Sequence, residues 1–445
     1  MAAFFQRPRL VIACSTTASA TWLATATTVH RDARLLLTLL ALLGWGAVLT
    51  VWRRDGRLPL RFCWAAGLLL VVIAAARSPI GSRDLWSYVM QGRIVAVHHG
   101  SPYLRPPADF PLDQFLRDTS LGWSHDPSPY GPLFTVISAA GAWAARGSEL
   151  ANRLVHQGLA AVAVVVVAAM HERRRPSGGA LAFLALSPVT LAIVNGGHND
   201  LLVGGLIAGA VLLLDRRRAA QAGVCFAAAA LIKIVALLPA AAAVIWLWRR
   251  GGARAAAMLA GMVTVLCVGA YWLAGGLATF RIVLNSGART SRASLWQLVG
   301  ATELSEEFRH PAKAWALGGL AVVMVLVVLV LRRWSDERSS RKVVSASTLA
   351  FLLAWPFVMP WYVGWSMPVS SGDPESLPSV WTAIFSSAIL LAYVVRPGVA
   401  PTGANAFVSG VAYPGAVVAM LVVAARRSRS YSGRIELSEP SEQAP

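Results

Sequence analysis

The chain has 445 residues, of which 56% are hydrophobic and 14% are charged. A soluble protein of this length needs more charge to keep its surface hydrated, so the composition excludes an ordinary soluble enzyme. The net charge is +19, but the basic residues lie in short clusters between apolar runs. That pattern is typical of the cytoplasmic loops of membrane proteins and argues against a nucleic-acid partner.

Apolar runs that could cross a lipid bilayer as helices recur along the chain. Clear examples lie at residues 35–52, 160–170, 314–331 and 408–425. Residues 10–29 are rich in Thr, Ser and Ala and form a weaker first span. The four cysteines are widely spaced and show neither a metal-binding nor a disulfide pattern.

Basic clusters give these spans an orientation. The positive-inside rule places them all in the cytoplasm; they lie at residues 53–57, 173–175, 216–218, 249–254, 332–342 and 426–429. The 173–175 cluster is cytoplasmic only if the chain crosses once between Ser82 and His171. We therefore predict that residues 151–170 span and that Pro132–Ala145 lies along the outer surface, although two true spans remain the alternative.

The resulting topology is a single transmembrane domain, residues 1–427, with about 14 spans and both termini in the cytoplasm. Residues 77–147 form a first extracytoplasmic loop with its interfacial helix, and residues 428–445 form a disordered cytoplasmic tail. Proline and polar residues interrupt the apolar segments 181–197, 201–214 and 351–368. Irregular backbone at membrane depth needs cover from protein or water, so these breaks predict a cavity that opens outward.

The first outer loop holds the densest polar content. Asp84 follows the apolar run that ends at Ala76 by a few residues. A carboxylate at the membrane–water boundary is partly desolvated, which raises its basicity and suits a general base. The alternative is a structural role, because Ser82 and Asp84 both suit the cap position of a helix.

A second polar feature interrupts the apolar sequence. The cluster 195–200 contains Gly196 and Gly197, which permit a tight turn, followed by His198, Asn199 and Asp200. It could bind a substrate, or Asn199 or Asp200 could simply cap a helix. No second histidine four residues away supports a metal site at His198.

Lys233 stands alone among apolar residues. A membrane lysine is costly and usually functional, and its charge suits a phosphate. Because the surrounding apolar run is too long for one span, we predict a turn at Lys233; snorkelling to the interface is the alternative. Arg289 and Arg292 lie in a second long outer loop, where they could clamp an anionic headgroup or be solvated. Trp361 and Tyr362 follow prolines and suit either an interfacial belt or sugar stacking.

Taken in order, these pieces resemble the GT-C superfamily of membrane glycosyltransferases. More narrowly, they resemble the actinobacterial polyprenol-phosphate-mannose-dependent α-(1→6)-mannosyltransferases. The matching pieces are residues 82–92, 100–103 and 123–133, the Gly-Gly-His-Asn-Asp of 196–200, the Leu-Ile-Lys that ends at Lys233, and the Pro-Trp-Tyr of 360–362. The 196–200 piece is one residue shorter than the family's pattern.

The resemblance implies a GT-C-like helical bundle in the plasma membrane, with an active site that faces outward. It implies transfer of mannose, with inversion, from polyprenyl-phosphate mannose to a hydroxyl of a mannan- or lipomannan-type acceptor. The family's first-loop aspartate falls on Asp84, which would be the general base. Lys233, with Arg289 and Arg292, would bind the donor phosphate. The acceptor or sugar would contact Tyr88, Gln91, Tyr103, Asp126, Tyr130, His198, Asp200, Trp361 and Tyr362.

The expected partners are therefore the lipid bilayer, a polyprenyl-phosphate sugar and a glycolipid or glycan acceptor. We expect no cofactor and no obligatory metal, because lysine and arginine can serve the phosphate. Two alternatives stay open. One is a GT-C enzyme of different sugar or linkage specificity. The other is a transporter or flippase of a lipid-linked sugar, which would share the cavity but would not need a carboxylate beside a large outer loop.

Overall fold

A computed structural model describes residues 5–26, 28, 31–279, 339–394 and 414–423, with short stretches between 318 and 333. All regular elements in these residues are helical, and no strand occurs among them, in agreement with the predicted all-α class. The helices are α1 (Pro8–Thr25), α2 (Arg31–Asp55), α3 (Leu60–Ala76), α4 (Asp84–Ala96), α5 (Pro132–Ala145), α6 (Glu149–Arg174), α7 (Pro188–Asn195), α8 (Asp200–Asp215), α9 (Ala219–Ile232), α10 (Leu237–Arg249), α11 (Ala253–Gly275), α12 (Arg341–Ala354), α13 (Leu377–Val394) and α14 (Pro414–Val423).

Short elements connect these helices. They are one-turn α-helices at Leu121–Ser124 and Met367–Ser370, a π-helical turn at Leu181–Ala185, and 3-10 turns at Pro107–Asp109, Leu116–Asp118, Ile234–Ala236 and Pro360–Trp365.

Four helices in the described residues are long and apolar enough to cross a membrane: α2, α6, α11 and α13. The chain is thus a membrane protein, while the count of about 14 spans stays a prediction. Helix α1, which covers most of the predicted weak span at residues 10–29, is not among the four. The predicted spans at 314–331 and 408–425 lie partly outside the described residues, and the tail at 428–445 lies wholly outside them.

Helix α5 is the stretch for which we predicted an interfacial position. It has 14 residues, which cover about 21 Å, less than the roughly 30 Å of a bilayer's hydrocarbon core. It packs against α4 and α6, and it leaves Val136 and Trp143 largely exposed. Its length fits a helix that does not span, and its place at the interface stays a prediction.

The predicted breaks in the apolar segments are present. The buried π-helical turn Leu181–Ala185 interrupts one segment, and Trp45 Nε1 donates to the carbonyl of Ala182 at 2.8 Å. Such a bond compensates for irregular backbone inside a bundle. Helix α12 ends at Ala354, and the 3-10 turn Pro360–Trp365 then packs against α7 and α8.

Helix α8 joins two chemically different ends of the molecule. Asp215, at its last residue, lies 3.6 Å from both Arg174 and Arg341. Asp200, at its first residue, belongs to the polar cluster of residues 195–200. The 16 residues of α8 separate these ends by about 24 Å. The basic clusters 173–175, 216–218 and 332–342 thus lie near the Asp215 end of α8. The predicted site residues lie near the Asp200 end.

Candidate active site

Asp84 is the first residue of α4, and its side chain is 14% exposed. Arg83 holds the cap position without a side-chain capping bond, and Ser82 Oγ accepts a hydrogen bond from the Asp84 amide at 3.1 Å. Neither Ser82 nor Asp84 occupies the cap position, but the Ser82 hydroxyl satisfies the first amide of the helix, so the structural alternative holds in part for Ser82. The Asp84 carboxylate instead lies beside Nδ1 of His198, with Oδ2 at 3.8 Å.

Asn195 fixes the loop that leads into α4. Its side-chain amide donates to the carbonyls of Ala74, Arg77 and Ser78 at 3.1–3.2 Å, and its Oδ1 accepts from the Ile80 amide at 2.7 Å. A single buried side chain at the end of α7 therefore satisfies four backbone groups of the irregular stretch before Asp84, as membrane-embedded backbone requires.

Gln157 on α6 strengthens this anchor. Its Nε2 donates to the carbonyls of Arg77 and Asn195 at 2.8 and 2.6 Å. Neither Asn195 nor Gln157 is predicted from the sequence to have a role in the site. The available signal was an amide within an otherwise apolar helix, but nothing in the sequence showed that it faces residues 74–80.

His198 is buried between Asp84 and an aromatic ring. Its imidazole stacks on Trp361, with centroids 4.1 Å apart and planes inclined by 10°. The Tyr88 hydroxyl lies 3.5 Å from His198 Nδ1. The tight turn predicted at the two glycines is present, because Gly197 has φ +61°, in the left-handed region that favours glycine. Asn199 occupies the cap position of α8, as the capping alternative expects, but its side chain makes no capping bond.

Lys233 lies at the turn that its surroundings predicted. Helix α9 ends at Ile232 and a 3-10 turn starts at Ile234. Lys233 Nζ lies 2.8 Å from Oδ1 of the fully buried Asp200, and Trp365 Nε1 donates to the same oxygen. Trp365 is not among the site residues predicted from the sequence. Lys233 thus has a carboxylate partner inside the protein, and its assignment to the donor phosphate stays a prediction.

Aromatic rings surround the Lys233 ammonium. The centroids of Tyr362, Trp365 and Tyr130 lie 4.3, 5.1 and 5.7 Å from Nζ. Tyr362 also stacks on Trp365, with centroids 4.5 Å apart. Cation–π contacts of this kind are strong where water is excluded. They connect three segments: the end of the first loop, the interruption at Lys233 between α9 and the turn Ile234–Ala236 (the α9 break), and the 3-10 turn Pro360–Trp365.

Other predicted sugar contacts hold the first loop together. Ser128 Oγ donates to Gln91 Oε1 at 3.0 Å, and the Tyr103 hydroxyl lies 2.9 Å from Thr135 Oγ1. Burial raises the pKa of Tyr103 to about 12, against the opposing effect of the Thr135 hydrogen bond. Asp126 is half-buried after the one-turn helix Leu121–Ser124. The roles of Gln91, Tyr103 and Asp126 toward a sugar stay predictions.

The end of this loop docks on the α9 break. The Gly131 amide donates to the Ile232 carbonyl at 3.0 Å, and a Cβ at position 131 would overlap the Leu231 carbonyl. The neighbouring Tyr130 ring packs edge-on against Tyr88, with centroids 5.0 Å apart. The backbone contact at Gly131 therefore sets how Tyr130 approaches both Tyr88 and Lys233.

Two predicted phosphate ligands, Arg289 and Arg292, lie outside the described residues. Within the described part of the chain, no group of three or more His, Cys, Asp or Glu side chains could hold a metal ion. The expectation that the reaction needs neither metal nor cofactor stays a prediction.

Comparison with known proteins indicates the class of reaction that this site carries out. Residues 10–250 match the model of a family described as alpha-(1->6)-mannopyranosyltransferase, N-terminal domain. The chain belongs to this family. The matched region contains Asp84, His198, Asp200 and Lys233. A curated relative is alpha-(1->6)-mannopyranosyltransferase A of Mycobacterium tuberculosis (strain ATCC 25618 / H37Rv). It is 26% identical over 375 residues, which cover 76% of this chain and 71% of the relative.

Membership of this mannopyranosyltransferase family confirms the resemblance drawn from the loop motifs. It supports a membrane-embedded glycosyltransferase that transfers mannose. The family model ends at residue 250, so Trp361 and Trp365 join the site from a part of the chain that it does not cover.

Proposed function

We propose that this mannopyranosyltransferase moves mannose from polyprenyl-phosphate mannose to a hydroxyl of a mannan- or lipomannan-type acceptor at the outer face of the plasma membrane. The observation that carries the proposal is the position of Asp84. Its carboxylate is 14% exposed and lies 3.8 Å from the buried imidazole of His198. A carboxylate that is accessible on one side and held against protein on the other suits a general base.

In the proposed reaction, Asp84 takes the proton from the acceptor hydroxyl while that oxygen attacks the anomeric carbon of the donor mannose. The bond between the anomeric carbon and the phosphate oxygen breaks, and polyprenyl phosphate departs with the bonding electrons. Attack from the face opposite the phosphate converts a β-linked donor into an α-linked product. The leaving group is already a stable anion, so it needs positive partners more than a general acid.

The surrounding residues divide into substrate-facing and positioning groups. We assign His198 and Trp361 to the sugar, because their stacked rings lie next to Asp84. Flat rings suit the apolar faces of sugars. Asp200 is fully buried and bonded to Lys233 and Trp365. We therefore assign it to positioning of the substrate-facing groups.

The outer-face location rests on charge distribution. Arg174 and Arg341 gather at Asp215, about 24 Å along α8 from Asp200. The positive-inside rule assigns such a basic end to the cytoplasm. The end with Asp84 then faces outward.

The test is a transfer assay with purified protein in lipid nanodiscs. Labelled polyprenyl-phosphate mannose is incubated with an α-(1→6)-mannan oligosaccharide, and the new linkage is mapped by NMR. We expect label in the oligosaccharide with an α linkage, and transfer lower by about two to four orders of magnitude with Asp84→Asn. Transfer from a sugar nucleotide alone would contradict the proposed donor. In proteoliposomes, movement of the labelled lipid between leaflets without a new glycosidic bond would instead support a flippase.

A further inference from the structure

A cavity of about 230 Å³ borders the site at His198 and Trp361. Its wall is mainly apolar and comes from helices that are distant in sequence. Contributors include Trp22 of α1, Val189 and Ile193 of α7, and Leu390 of α13. Ser82, two residues before Asp84, also lines it. The cavity therefore reaches the loop just before the proposed base and the His198 imidazole, which lies 3.8 Å from the Asp84 carboxylate.

One cation, Arg34 of α2, lines this apolar chamber. Its Nε is buried and has no hydrogen-bond partner. Over the described ranges, no carboxylate forms an ion pair with Arg34. A buried guanidinium nitrogen without a partner is costly, and guanidinium matches a phosphate better than any other side chain. The arrangement calls for an anion that comes from outside the protein.

The position of Arg34 along α2 places it at the end of the molecule that holds Asp84. Arg53, on the same helix, donates to the Pro374 carbonyl, close to the segment where Gly372 accepts from Arg341. Arg53 therefore belongs to the basic end of the bundle. The 19 residues from Arg34 to Arg53 span about 28 Å, close to the thickness of a bilayer's hydrocarbon core.

Lys233 is a weaker candidate for the same anion. Its Nζ is 2.8 Å from Asp200, and three aromatic rings cover it. Phosphate would have to compete with a buried carboxylate for this ammonium. Arg34 faces no such competitor among the described residues and lies in a chamber whose walls suit an isoprenoid chain.

We propose that Arg34 binds the monophosphate of a polyprenyl lipid in this cavity, with the first isoprene units against the apolar wall. This inference rests on the proposed function and specifies its donor site. Arg34, His198 and Trp361 line the same cavity, and His198 lies 3.8 Å from Asp84. In this proposal the sugar of a donor bound at Arg34 reaches the base along the His198 and Trp361 rings.

The test measures binding rather than turnover. A radiolabelled polyprenyl monophosphate without sugar is titrated onto purified protein in detergent, with unlabelled polyprenol and phosphatidylglycerol as competitors. We expect wild-type protein to prefer the phosphate over polyprenol, and Arg34→Gln to lose about tenfold or more of this preference. Arg34→Lys should recover part of it. The exposed Arg61 on α3 provides a matched control, since Arg61→Gln removes the same charge away from the cavity.

Three outcomes would overturn the inference: Arg34→Gln with unchanged preference, loss of preference in Lys233→Gln alone, or equal displacement by phosphatidylglycerol. If the Tm of Arg34→Gln lies within a few degrees of the wild-type Tm, the binding preferences of two folded proteins are being compared. A mannosyl-transfer assay on the same wild-type sample separates the two hypotheses. If wild-type protein transfers mannose but Arg34→Gln keeps the wild-type preference for the phosphate, only the proposed lipid-phosphate site is rejected. Failure of wild-type protein to transfer, with an intact Arg34-dependent preference, rejects only the proposed reaction.

Discussion

The Asp84 carboxylate and the His198 imidazole lie 3.8 Å apart at the starts of two different helical segments. Asn195 creates this relationship, because its side chain binds the backbone before α4 while its own backbone leads into His198. The backbone that leads into Asp84 is therefore held by the Asn195 side chain. The pair that Asp84 forms with His198 is charged only when the imidazole is protonated.

Replacing Asp84 by Asn preserves size and hydrogen-bonding capacity but removes the proton acceptor. We expect transfer to fall by about two to four orders of magnitude, the usual contribution of a general base. The protein should still insert and elute as a single species. Asp109→Asn is the matched control, because Asp109 lies in the same loop and is 41% exposed. Near-normal turnover by Asp84→Asn would remove Asp84 as the base.

Trp361 supports the His198 ring through a stacked contact at 4.1 Å. Trp361→Ala removes it, and we expect a loss of about threefold to tenfold in kcat/KM from the stacking energy alone. Trp361→Phe should retain most activity because it preserves an aromatic face. Trp143→Ala, at a 74% exposed position on α5, controls for loss of a tryptophan. Equal activity of the Ala and Phe variants would mean that the stack is not used.

The sequence predicted the parts of the site that depend on local chemistry. A glycine pair before His198 signals a tight turn, and a lysine within an overlong apolar run signals a break; the structure has both. For Asp84 the preceding apolar run predicts a carboxylate at the membrane–water boundary; the structure places it at the first residue of α4, and its position relative to the membrane stays a prediction.

Contacts between distant segments could not be predicted in this way. Lys233 and Asp200 were assigned separate roles, yet they form one ion pair at 2.8 Å. Nothing in the neighbouring sequence distinguishes Trp365 or Arg34, because their importance depends on which helices pack together. Neither periodicity nor charge pattern in a single sequence contains that packing.

The Lys233–Asp200 pair makes a prediction about stability. Removing one partner leaves a buried charge uncompensated, which costs about 3–5 kcal/mol. We expect Lys233→Met and Asp200→Asn each to lower the Tm in detergent, and the double variant to lose less than the sum of the two. Double-mutant analysis of thermal unfolding measures this coupling. Strictly additive losses would show that the two side chains do not stabilise each other.

Asp113 predicts how the first loop responds to acid. Burial by itself raises the pKa of Asp113, but bonds from the Phe115 amide, His98 and Arg93 outweigh burial and hold the pKa below its usual value. A folded pKa below the unfolded one means that this carboxylate stabilises the loop above the unfolded pKa of about 3.9. The stabilisation disappears as pH falls through the lower folded pKa.

Hydrogen exchange checks this response. Protection of residues 107–119, corrected for the intrinsic pH dependence of exchange, should decrease between about pH 4 and pH 2 in wild-type protein. Asp113→Asn should show low protection at all pH values, whereas Asp109→Asn should behave as wild type. A wild-type loop whose protection does not change over this range would contradict the stabilising role of Asp113.

Gly131 provides the most local test of how the loop meets the α9 break. A Cβ there overlaps the Leu231 carbonyl, whereas a Cβ at the exposed Gly122 has Ser120 Oγ, 4.0 Å away, as its nearest neighbour. We expect Gly131→Ala to cost about 1–3 kcal/mol, as overpacking does, and to lower kcat because Tyr130 moves away from Lys233. Gly122→Ala should change neither Tm nor kcat. If both variants matched wild type, the loop would not depend on this backbone contact, and the positions of Tyr130 and Lys233 would have to be set by their aromatic neighbours alone.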